Sequence, residues 1–550
     1  MPSSSSPSIV SPGWRGGPPQ HRGTRGPTAA GLAELGIGGG DGSGEVVEGC
    51  VATTICCLVR ADTYRDSVDL MRVAALLERL TRVSRAALMM GTPANRELLS
   101  GAGLLDAAAA AAGPNDLVVA VAAADKGAGE RALAEASRLL DEQAAVFASG
   151  GEKAPPRSIA DAAAELTHAN LAIISTPGPY ATAEALKALK RGLHVFIFSD
   201  NVAVADEVEL KRLAAKKKLL VMGPDCGTAI LDGVPLGFAN AVRRGRIGLV
   251  GASGTGLQQV SCLVDRLGEG LSQVIGVGGH DLDERVGGLM MQAAIERLAV
   301  DSGTRVIVLV SKPPAPAVAR RILGVARASG KPVVVNFLGG DPGAIRQAGV
   351  IATATLEDAA RDAVALARGK RPGVRTISPA ARTKARRFAK GQHLIHGLYS
   401  GGTLGQEAAL ILTALGAKHA VVDLGDDEFT VGRPHPMIDF RLRNERMVAA
   451  AREPATAVIL LDVVLGYGAH PDPADALAPA IGAARKIASR SKRGLAMVAS
   501  VCGTGADPQN LERQEAALAA AGVVLAPSNA EAARLAAALV GTAPGARRKL

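Results

Sequence analysis

Aromatic side chains are scarce in this chain, at 2% of residues. Modules that stack on nucleic-acid bases need exposed rings, so the composition argues against that class of partner. Cysteine is sparse as well. The six (Cys50, Cys56, Cys57, Cys226, Cys262 and Cys502) are scattered and form no CxxC, which reads as reduced core thiols of a cytoplasmic protein. No apolar run reaches the ~18 residues a membrane-spanning helix needs. The amino terminus carries no apolar signal segment. Neither a membrane nor a nucleic acid is expected as a partner.

What the chain has in excess is Ala, Val, Leu and Gly. Hydrophobic residues make up 48% of the 550, enough for roughly three or four domains with their own cores. Continuous Val/Ile/Leu runs suit strands of a helix-covered parallel sheet. The net charge of +10 is concentrated, because Arg368 to Lys390 holds nine basic residues and no acidic one. That run reads as a solvated linker between domains, or as a dock for an acidic partner.

The chain is organised around Gly245 to Val260, GRIGLVGASGTGLQQV. Ile247 to Val250 form an apolar strand, Gly251, Gly254 and Gly256 a turn, and the residues beyond restore a helical period. A strand, a glycine turn and a helix aim the first-turn N–H groups and the helix dipole at one point, which suits a phosphate or carboxylate. Ser253 and Thr255 add hydroxyl donors. The same pattern serves equally as a turn that lets strand and helix pack closely.

In chain order, residues 1–48 are Ser/Pro/Gly-rich and cannot bury enough surface to offset ordering entropy. Residues 49–240 read as one parallel α/β unit. Its strands are Val46 to Val59, Ala86 to Met90, Leu117 to Ala122, Asn170 to Ser175, Val195 to Ser199 and Leu219 to Met222, with helical crossovers between them. Ligands of such sheets bind beyond the carboxyl ends of the strands, where Pro177, Asn201, Asp225 and Cys226 stand as candidate substrate-binding residues. Residues 241–368 form a second α/β unit, whose strand ends carry Gly279 and Lys312. The linker spans 369–392, and a third α/β unit spans 393–545. The third unit begins with a second glycine loop, Gly401, Gly402 and Thr403, entering a helix from Leu404 to Leu415. Asp426, Asp427, Arg433 and His435 make the densest ionisable cluster of the chain, fit for acid–base work, for a metal, or for closing a loop. The two glycine loops resemble each other, which suggests two related modules facing one anion.

The segments NLAIISTPGPY, FSDNV, LLVMGPDCGTAI, GRIGLVGASGTGLQQV and GVGGHDLDERVGG are similar to the α subunit of succinyl-CoA synthetase. GLYSGGTLGQEAALIL, DLGDD and ILLDVVLGYG resemble the carboxy-terminal domain of its β subunit. With MMGTPAN, SKPPA and TVGRPHPMID, the chain is identified as a member of the FdrA family, which fuses these parts in this order. The resemblance implies an α/β fold of succinyl-CoA synthetase type, with a Rossmann-like CoA-binding-type unit over 49–240 and flavodoxin-like parallel-sheet units over 241–368 and 393–545. It also implies a subunit acting with two partner proteins as a carbamoyltransferase of allantoin and purine breakdown, which takes oxalurate and phosphate to oxamate and carbamoyl phosphate. Phosphate is then a co-substrate and a small ureide acid the substrate; no cofactor is assigned, and a homo-oligomer is compatible with it. The phosphate would sit on Ser253, Gly254, Thr255 and Gly256 and on Gly401, Gly402 and Thr403. Lys312 or Arg433 would offset charge, and His435 or Asp427 would manage the proton.

Two other readings stand. One is a subunit of a nucleotide-diphosphate-forming acyl-CoA synthetase, an acid–thiol ligase. Against it, the segment equivalent to that enzyme's phosphohistidine stretch, Gly339 to Ala344, contains no histidine, and the ATP-grasp domain and the CoA-holding GxTGxxG loop are missing. The other is a non-catalytic metabolite-binding scaffold.

Overall fold

The computed structural model describes residues 54–63, 65, 67–148, 156, 158–373, 388–430 and 434–541. The amino-terminal tail and the middle of the basic linker lie outside these.

The first module runs β1 (Thr54–Arg60), α1 (Ser67–Leu77), β2 (Val83–Met90), α2 (Pro93–Gly101), α3 (Ala107–Ala110), β3 (Leu117–Ala123) and α4 (Lys126–Ala148). Its sheet has the order β1-β3-β2, and both pairings are antiparallel. β3 is buried along its whole length. One face packs Val119 and Val121 on Val73, Leu77, Ala132 and Leu140, and the other packs Val118 and Ala120 on Leu99 and Leu104. This corrects the expectation of a single parallel unit over 49–240. A helix-length connection returns the chain to either strand direction, so connection length did not reveal that β3 inserts between β1 and β2 with reversed sense.

A small parallel sheet follows, with α5 (Ile159–Glu165), β4 (Leu171–Ile174), α6 (Gly178–Lys190), β5 (His194–Ile197), α7 (Val204–Lys216) and β6 (Val221–Met222), ordered β4-β5-β6. The chain then makes a hairpin, β7 (Thr228–Leu231) and β8 (Val234–Gly237), around Asp232 and Gly233. Both turn residues have positive φ, 50° and 85°, as a two-residue turn matched to strand twist requires. Although it precedes residue 240, this hairpin joins the next sheet through β7.

That sheet contains β9 (Arg244–Gly251), β10 (Leu271–Gly276), β11 (Val306–Ser311), β12 (Val333–Phe337) and β13 (Ile351–Ala352), with α8 (Gly254–Arg266), α9 (Leu289–Val300), α10 (Pro316–Ala328), α11 (Pro342–Gln347) and α12 (Leu356–Ala367). The order is β13-β12-β11-β9-β10-β7-β8, parallel from β13 to β10.

The last module has β14 (Leu394–Tyr399), α13 (Gly402–Ala414), β15 (His419–Asp423), α14 (Asp427–Thr430), α15 (Arg441–Arg452), β16 (Thr456–Val464), α16 (Pro473–Arg490), β17 (Ala496–Cys502), α17 (Leu511–Ala520), β18 (Val524–Ala526) and α18 (Asn529–Leu539). Its order is β15-β14-β16-β17-β18, all parallel.

In both large sheets the first strand lies between the second and the third. This is the flavodoxin-like doubly wound order, whose ligand crevice lies where the winding reverses, between first and third strands. The expected fold class is therefore observed, twice. The two sheets share one core, in which Leu249, Leu257, Val260 and Ala363 meet Leu404, Ala408, Leu412 and Ala533. The helices α8, α12, α13 and α18 fill the space between them, so the two reversal points are brought face to face.

Candidate functional site

At the first reversal point Ser253 caps α8. Its backbone is extended and its hydroxyl accepts the Gly256 N–H at 3.0 Å. At the second, Gly401 precedes α13, and Thr403 lies in the first turn of that helix. The hydroxyls of Ser253 and Thr403 are 2.6 Å apart. A Cβ on Gly401 would stand 2.8 Å from Thr255 Cγ2, so glycine there allows the contact. The two loops singled out from sequence thus form one junction.

Their donors are not equally available. Asp462, wholly buried on β16, accepts the N–H groups of Ser400 at 2.9 Å and of Gly401 at 2.8 Å, and the Ser400 hydroxyl at 3.1 Å. The Arg443 guanidinium, also wholly buried, bonds both the Asp462 carboxylate and its carbonyl oxygen. Asp423 lies against the same turn, where a Cβ on Gly402 would collide with its Oδ2. Burial raises the Asp423 carboxyl above its ordinary range, Asp462 adds to the rise, and Lys312 opposes it. The expected anion seat on Gly401 is therefore corrected: its N–H already serves a carboxylate of the protein. Among the described residues no carboxylate bonds the first turn of α8, where Gly254 and Thr255 lie.

Beside it opens a cleft of about 590 Å³, bordered by Ala252, Gly279, His280, Arg285, Ser311 and Lys312. These residues follow β9, β10 and β11, at the carboxyl ends where such sheets take ligands. Arg285 is engaged by Asp283 at 2.9 Å. Lys312 is exposed and forms no salt bridge among the described residues.

His435 reaches the junction from the other side. A Cβ on Gly425 would stand 2.9 Å from His435 Nε2 and 3.2 Å from Asp423 Oδ1, so the ring and the carboxylate flank one point. The ring packs on Phe238, which packs on Phe198, with 5.5 Å between centroids in each pair. Burial pushes the imidazole down to about 4, so it is neutral at physiological pH. Its Nδ1 accepts the Met437 N–H at 3.2 Å, which leaves the hydrogen of the neutral ring on Nε2.

The other sequence candidates divide. Pro177 stands just before α6, and Gly178 beside it abuts the carbonyls of Asp200 and Asn201, so this rim gathers at the ends of β4 and β5. Asn201 and Asp225 adopt positive φ, 53° and 51°. Gly279 lies in the cleft with Lys312. Cys226 does not line it. Burial drives its thiol up to about 12 and its Sγ donates to the Thr228 carbonyl, so it is a core residue. Asp427 opens α14, and Arg433 lies outside the described residues. Asp462 and Arg443 were not anticipated. The sequence signal for Asp462 is a single charge inside the apolar strand TAVILLDVV; nothing distinguishes Arg443 from its neighbouring arginines. Among the described residues no group of three or more His, Cys, Asp and Glu is placed to hold a metal ion, and no helix is long and apolar enough to cross a membrane.

Three family models match: "AllF, heavy metal-associated domain" over residues 53–156, "CoA binding domain" over 242–339 and "CoA-ligase" over 398–539. The first coincides with the antiparallel module. The second falls on the β9–β12 sheet, beyond the segment where the sequence suggested a CoA-binding-type unit. The chain is 41% identical over 503 residues to the uncharacterized protein YahF of Escherichia coli K12, covering 87% of this chain and 97% of that protein. It is 25% identical over 224 residues to the succinate–CoA ligase α subunit of Staphylococcus epidermidis, 38% of this chain and 72% of that one. The apo dinucleotide-forming acetyl-coenzyme A synthetase 1 of Ca. Korarchaeum cryptofilum aligns at 17% identity with a TM-score of 0.31, over 68% and 83% of the two chains. The chain belongs to the FdrA family, a succinyl-CoA synthetase α-like chain joined to a CoA-ligase domain behind an AllF-type amino-terminal domain.

Proposed function

We propose that this chain is the FdrA-type subunit of an oxamate carbamoyltransferase, acting with two partner subunits on oxalurate and phosphate. The observation that supports this most is that the α8 start, joined to Thr403 through Ser253 at 2.6 Å, directly follows Ala252 on the border of the Lys312 cleft. In this reading phosphate lies on the first turn of α8, with Lys312 offsetting its charge. A phosphate oxygen attacks the carbamoyl carbon of oxalurate, and the C–N bond to the oxamate half breaks. The proton lost by phosphate ends on the oxamate nitrogen. His435, neutral with its hydrogen on Nε2, is suited to donate to the oxyanion that develops on the carbamoyl oxygen. It does not act as the base. The roles of Asp427 and Arg433 remain those the family resemblance suggests.

The ligase alternative is favoured by the CoA-binding and CoA-ligase matches. It needs a nucleophilic histidine in the segment equivalent to the phosphohistidine stretch. In the Gly339–Ala344 stretch Asp341 caps α11, accepting the Gly343 N–H at 2.7 Å. His435 Nε2 holds a hydrogen, so its lone pair is not free to take a phosphoryl group. The two readings separate in one assay: carbamoyl phosphate formed from oxalurate and phosphate by the chain with its partners, against acyl-CoA formed with ATP and CoA. The first product without the second is expected. The second alone overturns the proposal.

A further inference from the structure

One ionisable pair on the cleft has no part in the chemistry above. His280 follows β10, lines the cleft with Lys312, and has a side chain 57% exposed. Behind it stands Glu207 of α7, 1% exposed. Glu207 Oε1 accepts from Lys211 Nζ at 2.7 Å. Its Oε2 is buried without a hydrogen-bond partner and lies 3.4 Å from His280 Nδ1. Lys211 is itself wholly buried and is fixed by Asp281 at 2.9 Å and the Val277 carbonyl at 2.8 Å. Asp281 in turn accepts the N–H groups of Met290 and Met291 at the start of α9. The carboxylate of Glu207 is therefore held by a buried base at one oxygen, and its other oxygen faces His280 Nδ1. Leaving such an oxygen unpaired is costly, and His280 is the group in reach to satisfy it.

We propose that Glu207 and His280 form a proton-transfer dyad of the cleft, in which Glu207 takes the Nδ1 hydrogen and leaves Nε2 to face the bound anion. The identity of that anion as phosphate rests on the carbamoyl-transfer reading. Nε2 of His280 removes the proton from a phosphate hydroxyl as that oxygen bonds to the carbamoyl carbon. As the C–N bond breaks, Nε2 returns the same proton to the departing nitrogen, so the ring ends as it began. His280 is the catalytic residue of the pair and Glu207 a positioning residue. Separations of 3.4 Å are common before a ligand closes such contacts. The charged groups around the ring are Glu207 and Lys211 of α7, Asp281, Asp283, Glu284 and Arg285 of its own loop, and Lys312 after β11.

The test uses the full chain as His280→Gln and Glu207→Gln. His280 is exposed, and Gln at 207 keeps an oxygen for Lys211, so folding is retained. In the assembled complex His280→Gln is expected to lower kcat about a hundredfold or more and to abolish the acid limb of the pH profile. The KM for phosphate moves less than about threefold. Glu207→Gln lowers kcat about tenfold while the KM for phosphate moves less than about threefold, because the Nδ1 hydrogen is no longer fixed by a carboxylate. Wild-type kcat and pH profile in His280→Gln overturn the dyad and leave carbamoyl transfer standing. If the wild-type complex makes no carbamoyl phosphate, the functional reading falls and side-chain nitrogen NMR of the free chain decides the dyad. A His280 ring that carries its hydrogen on Nδ1 and loses that preference in Glu207→Gln supports the pair, and a tautomer unchanged by the substitution overturns it.

Discussion

Replacing Asp462 by Asn tests whether the second glycine loop is held from inside. The Asn carbonyl can still accept one of the Ser400 and Gly401 N–H groups, which bond to different oxygens of the carboxylate at 2.9 and 2.8 Å, while its NH2 faces the other. Arg443 then loses its carboxylate while remaining wholly buried, and its Nε already lacks a partner. An uncompensated buried guanidinium costs about 3–5 kcal/mol, and that is the expected loss in the opening free energy of the last module. The assay is hydrogen exchange of peptides covering β14, the start of α13 and β16, with urea unfolding followed by circular dichroism. Adding Arg443→Met removes the orphaned charge and fills its volume with an apolar chain. The double variant should therefore recover about 2 kcal/mol relative to Asp462→Asn alone. A loss below about 1 kcal/mol in the single variant, or no recovery in the double, refutes the claim that this loop is tied to an internal anion.

Glu407 of α13 joins the two large modules, accepting from the Leu356 N–H at 2.7 Å and Asn529 at 2.8 Å, and burial raises it to about 7. The folded chain keeps this proton where the unfolded chain, near 4.5, has released it, so its contribution falls as pH rises from about 4.5 to 7. Glu407→Gln should match wild type near pH 4 and exceed it by about 3 kcal/mol at pH 8 in exchange of the Leu356 amide; equal curves contradict this. Lys312→Gln should weaken inorganic phosphate binding roughly fivefold by calorimetry, an effect shrinking with salt because the ammonium is exposed; an unchanged Kd removes Lys312 from the anion site. His435 should show the neutral ring in nitrogen NMR from pH 8 to 5, and a titration near 6.5 would return it to the candidates for general base.

Much of this arrangement is legible in sequence because it is local. Gly251, Ser253, Gly254 and Gly256 mark a strand end, a cap and a helix start within six residues, and the structure places β9 and α8 on either side of them. The likeness of Gly401–Thr403 to that turn carried the inference of two modules facing each other. What escaped notice depends on distant partners. The occupation of the Gly401 N–H by Asp462 links residues 61 apart, and the antiparallel insertion of β3 leaves no trace in connection length. The hairpin at Asp232–Gly233 crosses from one sheet to the next, which hydrophobic periodicity does not report. Cys226 looked like a tip residue from its glycine-rich neighbours, but the thiol turns into the core.

Carbamoyl transfer onto phosphate is tested most directly with ¹⁸O-labelled phosphate and oxalurate, supplied without ATP or CoA to the chain assembled with its partners. Direct attack predicts carbamoyl phosphate that retains all the label of the phosphate, by mass spectrometry, with oxamate formed in equal amount. Label absent from carbamoyl phosphate, or a product that appears only when ATP and CoA are added and is then an acyl-CoA, contradicts the account.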